Sequence, residues 1–255
     1  ASEPAYAPEA GMEALISAPN PGDIDRFVSP TGVDSGNCPK VAPCQSINYA
    51  ITRVMTDGVD GEIIAATEGI YVNTDPVNKN SVVGASFSKG VEIYGGWNVD
   101  FSAQVGFSIV DGENKYSGIS VYGFPKVTIV FDHFIVRNGW NGGINLSSMN
   151  LIVTNSSIHN NQKIGDYANG GGVYNYLGDL TLRNVTVSNN SASSSGGGIY
   201  SALGDAYLNN VTVTNNTAGY GGGVTLSTSN QAVVNVKNTI VYNNHAFIQG
   251  PDCYG

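Results

Sequence analysis

Through most of the chain, short runs of residues alternate apolar with polar, as at Val185 and Val187 and again at Val211 and Val213. A period of two sends successive side chains to opposite sides of an extended strand. Two further signatures keep step with these runs. Gly170-Gly171-Gly172-Val173-Tyr174 returns after 26 residues (170 to 196) as Gly196-Gly197-Gly198-Ile199-Tyr200, and after 25 more (196 to 221) as Gly221-Gly222-Gly223-Val224-Thr225. Asn184-Val-Thr-Val-Ser-Asn-Asn190 returns as Asn210-Val-Thr-Val-Thr-Asn-Asn216. Independent motifs sharing one period mean one structural unit stacked on copies of itself. At about 3.3 Å per residue, such a unit holds short strands and turns and leaves no room for a helix. The pattern predicts an all-β solenoid, a parallel β-helix in which each strand pairs with its equivalent in the next coil.

Lining up the coils predicts which columns face inward. One runs Phe107, Phe134, Ser156, Val185, Val211, Thr239; a second runs Ile109, Val136, Ile158, Val187, Val213, Val241. A third column, Asp111, Asn138, Asn160, Asn189, Asn215, Asn243, is expected at a bend as an internal Asn ladder. Coil length along it varies from 22 residues (138 to 160) to 29 (160 to 189), so loops of different size leave at one corner. The Gly triplets mark a further corner needing positive φ or close backbone approach. After it, Ile119, Ile144, Val173, Ile199 and Val224 begin another inward column.

Three regions are expected. Residues 1–25, rich in Pro, Ala and Glu, form an extended N-terminal segment; their start has no Met and reads as a mature end left after cleavage. Residues 26–60 form a cap with a short helix, since Ile47, Ala50, Ile51, Val54 and Met55 lie at helical spacing behind Ser46, an N-cap residue. Residues 61–255 form the β-helix, whose open end the helix would cover.

Charge narrows the function. Lys and Arg number 11 against 20 Asp and Glu, a net charge of −9, and no basic cluster offers a phosphate track. Nucleic acid is therefore excluded as a partner. No apolar run reaches the ~18 residues of a membrane span. Cys38 and Cys44 are close in sequence with Pro39 and Pro43 between them, while Cys253 is left over near the C-terminus. In an exported protein Cys38 and Cys44 would pair as a disulfide; in a reducing compartment they would be two thiols of the cap.

Several segments carry a resemblance. Arg26-Phe-Val-Ser-Pro-Thr-Gly-Val-Asp-Ser-Gly-Asn-Cys38 with Pro43-Cys44-Gln-Ser-Ile-Asn-Tyr-Ala-Ile51, then Glu68-Gly-Ile-Tyr71, and Tyr94-Gly-Gly-Trp97 with Asp100-Phe-Ser102, resemble secreted bacterial proteins of the pectate-lyase-like superfamily. The Gly-Gly-Gly-Ile-Tyr and Asn-Asn repeats are similar to those of polymorphic outer-membrane and adhesin-type surface proteins. The resemblance implies a right-handed coil and a secreted, extracellular or cell-surface location. That superfamily contains lyases and hydrolases as well as adhesins, so it leaves activity open.

Candidate chemistry is sparse. Carboxylates from residue 100 onward are scattered, and none forms an Asp-x-Asp or Asp-Asp pair. Asp179 and Asp205 share a column about 5 Å apart and are the one pair able to hold a cation such as Ca²⁺. An outward column reads Val110, Arg137, His159, Ser188, Thr214, Tyr242. Arg137 and His159 are its acid–base candidates, with Asp132 nearby, and no partner carboxylate stands in the column. Tyr174, Tyr200 and Tyr242 are candidate platforms for sugar rings. The first reading is a non-enzymatic extracellular or cell-surface protein, without cofactor, that contacts glycans or cell-envelope partners. The alternative is a polysaccharide lyase or glycoside hydrolase using Arg137, His159 and Asp132. The sequence leaves the oligomeric state unspecified.

Overall fold

The computed structural model describes residues 17–74, 80–124, 126–227 and 233–255. Residues 1–16 of the expected N-terminal segment lie outside the described residues. Parallel strands form three sheets of 12, 7 and 4 strands among the described residues, coiling as a right-handed β-helix. A representative coil contains the strand Asn150–His159, the short strand Gln162–Lys163 and the strand Val173–Tyr176. Each pairs in register with its counterpart one coil on: Asp179–Ser188, Ser191–Ala192 and Ile199–Ala202. The long strand bends midway, where Asn155, Asn184, Asn210 and Asn238 take φ of 47° to 57°. Asn tolerates this left-handed backbone because its short polar side chain bonds locally.

The core is a narrow cylinder. The column Ile119, Ile144, Val173, Ile199, Val224 faces inward as expected, and so do Val136, Ile158, Val187 and Val213. At the N-terminal end the helix Ile47–Asp57 covers the cylinder, burying Ile47, Ala50, Ile51 and Val54. The Ser46 side chain accepts from the Tyr49 amide at its start, and Lys89 donates to the carbonyls of Val54, Met55 and Gly58 at its end. Both contacts satisfy groups that a helix leaves open at its termini. Cys38 and Cys44 are joined by a disulfide in this cap, and Cys253 is a free, exposed thiol.

Two expected columns are corrected. The first coil slips by one residue: Ser108, not Phe107, pairs with Phe134, and Val110, not Ile109, pairs with Val136. Asp111 consequently stands opposite Arg137 rather than Asn138. Adjacent Ile109 and Val110 are both β-branched, so their pattern could not fix the phase.

The second correction concerns the Asn ladder. Asn160, Asn189 and Asn215 are exposed, and their φ values of 55° to 56° turn the chain at a corner. That left-handed turn breaks the alternation of sides, so the following residue is the one that points inward. The buried ladder is Asn161, Asn190, Asn216, Asn244. Each Nδ2 donates to the Oδ1 one coil on, at 2.9, 3.0 and 2.9 Å, and Asn244 donates to Asp252 Oδ1 at 2.9 Å. The same Oδ1 atoms accept the backbone N–H of Asn161, Asn190, Asn216 and Asn244. The other Nδ2 proton of Asn190 goes to the Ile158 carbonyl, and that of Asn216 to Val187. All of this buried polar chemistry is satisfied within the stack.

The Gly triplets belong to the same device. Gly170, Gly196 and Gly221 have φ of 73°, 65° and 55°. A Cβ on Gly172, Gly198 or Gly223 would sit 2.8 to 3.0 Å from the Nδ2 of Asn190, Asn216 or Asn244. Asn-Asn and Gly-Gly-Gly therefore recur together because one makes room for the other.

Replacing Asn190 with Leu should destabilise the fold by about 3 kcal/mol, since it leaves buried donors and acceptors in two coils without partners. Asn189→Leu should cost about 1 kcal/mol, the strain of a left-handed Leu. Urea unfolding of both variants checks the order; equal losses would contradict the corrected ladder.

Candidate functional site

The outer column of the bent sheet's second half is Asp111, Arg137, His159, Ser188, Thr214, Tyr242. Strand pairing thus brings Arg137 and His159 together, as the sequence suggests, and adds Asp111. Arg137 Nε donates to Asp111 Oδ2 at 2.8 Å. Asp111 also accepts from Asn138 Nδ2 and from the Glu113 amide. Burial alone would raise the Asp111 pKa; the Glu113, Asn138 and Arg137 bonds outweigh it and hold the carboxyl below its ordinary value. Burial, followed by the Arg137 charge, lowers the His159 pKa, while Asp111 partly offsets both.

Asp132 lies apart from this column, at the bend, and is fully buried. Its Oδ1 accepts from Thr154 Oγ1 at 2.6 Å and Asn155 Nδ2 at 2.7 Å. Its Oδ2 accepts from His133 Nδ1 at 2.6 Å and Gln104 Nε2 at 3.0 Å. Burial raises its pKa, and the bonds from His133, Thr154 and Gln104 overcome this to lower it. A second amide chain feeds the same carboxylate: Asn210 donates to Asn184, Asn184 to Asn155, and Asn155 to Asp132.

Asp179 and Asp205 are stacked one coil apart, but their oxygens are already engaged. Lys126 Nζ donates to Asp179 Oδ2 at 2.7 Å, and the Asp205 amide approaches its Oδ1. Asp205 accepts from Tyr207 and from the Val233 amide. A Ca²⁺ ion takes six to eight oxygen ligands; in this arrangement the Lys126 ammonium stands at Asp179 Oδ2. Among the described residues no group of three or more His, Cys, Asp or Glu side chains could hold a metal ion.

The tyrosines separate onto two faces. Tyr174 and Tyr200 pair directly across neighbouring strands, their rings 5.6 Å apart and within 4° of parallel. Tyr176 stacks on Tyr174 at 6.3 Å. Lys163 Nζ lies 4.1 Å from the Tyr174 ring centroid and donates to Asn145 Oδ1 at 2.8 Å. Burial pushes the Lys163 ammonium down to about 8. Tyr122 and Tyr254 extend the same outer side, and both are exposed. Tyr242 stands on the Arg137–His159 column instead, away from this row. Lys163 and Asn145 are not among the expected ligands, because the two-residue strand that carries Lys163 is too short to show a period of its own.

These coils decide the architecture. In fold, the chain is a right-handed parallel β-helix with a helical cap. No protein-family model matches it, and no curated protein matches it. Among solved structures it is similar to one titled "Crystal structure of pectate lyase Pel9A", with 14% identity, 87% of this chain and 80% of that chain covered, and a TM-score of 0.39. Likeness of that degree carries nothing about chemistry. No helix among the described residues is long and apolar enough to cross a membrane.

Two titrations follow. The folded Asp132 pKa is depressed, so its contribution is present above the ordinary carboxylate range and is lost as pH falls through the folded value. Stability should drop on acidification below about pH 4, and Asp132→Asn should flatten that drop while costing about 3 kcal/mol at neutral pH. Lys163 is depressed in the opposite chemical sense. Below about 8 the cost of burying its cation is fully present; between there and about 10.4 the unfolded chain holds more protons, so stability from this group rises with pH. Comparing thermal melts of the native chain and Lys163→Met across that window should show the rise in the first alone.

Proposed function

We propose that this chain is an extracellular β-helix that acts by contact rather than turnover, engaging a glycan or cell-envelope partner through its tyrosine-bearing side. The observation that carries this reading is the row Tyr176, Tyr174, Tyr200 with Lys163 over the central ring. Aromatic rings and a polar tip suit sugar rings, which present C–H faces and hydroxyls together. Tyr174 is covered on its ring by Lys163 and flanked by both neighbours. A sugar chain would therefore meet the edges of the row and the outer surfaces of Tyr176 and Tyr200, an extended and shallow contact. The Cys38–Cys44 disulfide supports an oxidising, extracellular setting.

The engagement of Asp111, Asp132, Asp179 and Asp205 by internal donors supports the absence of turnover. General acid–base cleavage of glycosides needs two carboxyl groups facing one another across a substrate; these four instead hold coils together. A second reading keeps the polysaccharide lyase or hydrolase, and one observation favours it: Asp111 supplies the carboxylate beside Arg137 and His159. In that reading Arg137 would have to leave Asp111 to reach a substrate proton.

Binding to a panel of insoluble bacterial and plant polysaccharides separates the two. The chain should be retained without releasing unsaturated or reducing-end sugars, and Tyr174→Ala with Tyr200→Ala should weaken retention about tenfold. Sugar release abolished by His159→Ala would favour the enzyme.

A further inference from the structure

Three of the segments that carry the sequence resemblance meet at one place that the tyrosine side does not include. Ser29, Pro30 and Thr31 follow the strand Arg26–Val28; Glu68 follows the strand Glu62–Thr67; Trp97 ends the strand Val91–Trp97. Together with Val99 they line a surface cavity of about 350 Å³, within the range that small-molecule sites occupy.

Two groups there are chemically unengaged. Glu68 is exposed, and its carboxylate has no hydrogen-bond or ion-pair partner among the described residues, unlike Asp111, Asp132, Asp179 and Asp205. It lies against Gly106, where an added Cβ would collide with Oε1. Trp97 is buried to within 1% of its surface, and its indole N–H also lacks a partner among the described residues. A buried indole N–H normally finds an acceptor. Around these stand the hydroxyls of Ser29 and Thr31, 3.1 Å apart, and the apolar surfaces of Pro30 and Val99.

We propose that this cavity binds a single neutral hexose residue, with two adjacent sugar hydroxyls donating to the Glu68 carboxylate. A carboxylate accepts two such bonds side by side. The Ser29 and Thr31 hydroxyls supply donors for ring and hydroxyl oxygens, which a bare metal ion or an ammonium group could not use. Pro30 and Val99 face the C–H side of the ring. A uronate would bring its charge to Glu68 and bind poorly. This site stands independently of the tyrosine row.

The chain contains two tryptophans, Trp97 and Trp140, so a Trp140→Phe background leaves Trp97 as the sole indole reporter. Fluorescence titration with glucose, galactose and mannose should give a saturable change for at least one sugar near about 1 mM, and glucuronate should bind at least tenfold more weakly. Glu68→Gln should weaken binding about tenfold, since a charged acceptor is lost. Gly106→Ala, which displaces the carboxylate without removing it, should do the same and decides the matter if Glu68→Gln fails to fold. Tyr174→Ala with Tyr200→Ala should leave this titration unchanged. The proposal is overturned by no saturable change with any of the three sugars in the folded protein. Affinity that survives both Glu68→Gln and Gly106→Ala, or a response to Ca²⁺ with none to sugar, would overturn it equally.

Discussion

Each polar group left unpaired inside a β-helix this narrow costs stability, and the buried Asn161–Asn190–Asn216–Asn244 chain pairs its amides from coil to coil. Each amide bonds forward to the next coil and back to a carbonyl of the one before. The spacing of these bonds holds neighbouring coils in one register, because a slip of one residue would turn every inward side chain outward. Loop lengths can then vary widely at other corners without disturbing the core. The left-handed Asn before each ladder residue makes the turn, and the third Gly of each triplet leaves space for the amide.

Amide chains of this kind have a direction, and a chain of donors must end on a group that only accepts. Carboxylates fill that role. The inner chain ends on Asp252 towards the C-terminus, and the outer chain from Asn210 ends on Asp132 towards the N-terminus. Asp111 receives Asn138 in the same manner while holding Arg137. In these positions an ionised carboxylate accepts bonds that a neutral amide would answer with misplaced donors. The proposed function rests on this: where the carboxylates serve as ends of structural chains, we assign recognition to the tyrosine row and the cavity beside Glu68.

Much of the architecture was legible from period alone. The Gly triplets fixed a corner, Val173, Ile199 and Val224 fixed an inward column, and Ser46 with its apolar stripe fixed the cap helix. What failed did so at places where period two stops applying. Asn189 and Asn190 are the same residue type side by side, and the positive φ of the first decides which one is buried. Ile109 and Val110 are equally apolar, and their phase decided whether Arg137 had a carboxylate beside it. The Glu68 cavity depends on loops from three coils, and no spacing within the chain reports how such loops meet.

The central claim is that the inner Asn chain, and not the exposed Asn corner, locks the coils together. Side-chain amide hydrogen exchange, read by NMR, tests it directly. The Nδ2 protons of Asn190 and Asn216 should exchange only through opening of the whole stack, at rates matching the most protected backbone amides of the core. Those of Asn160 and Asn189 should exchange as solvent-exposed amides do. Fast exchange at Asn190 and Asn216, with protection at Asn189 instead, would contradict the account.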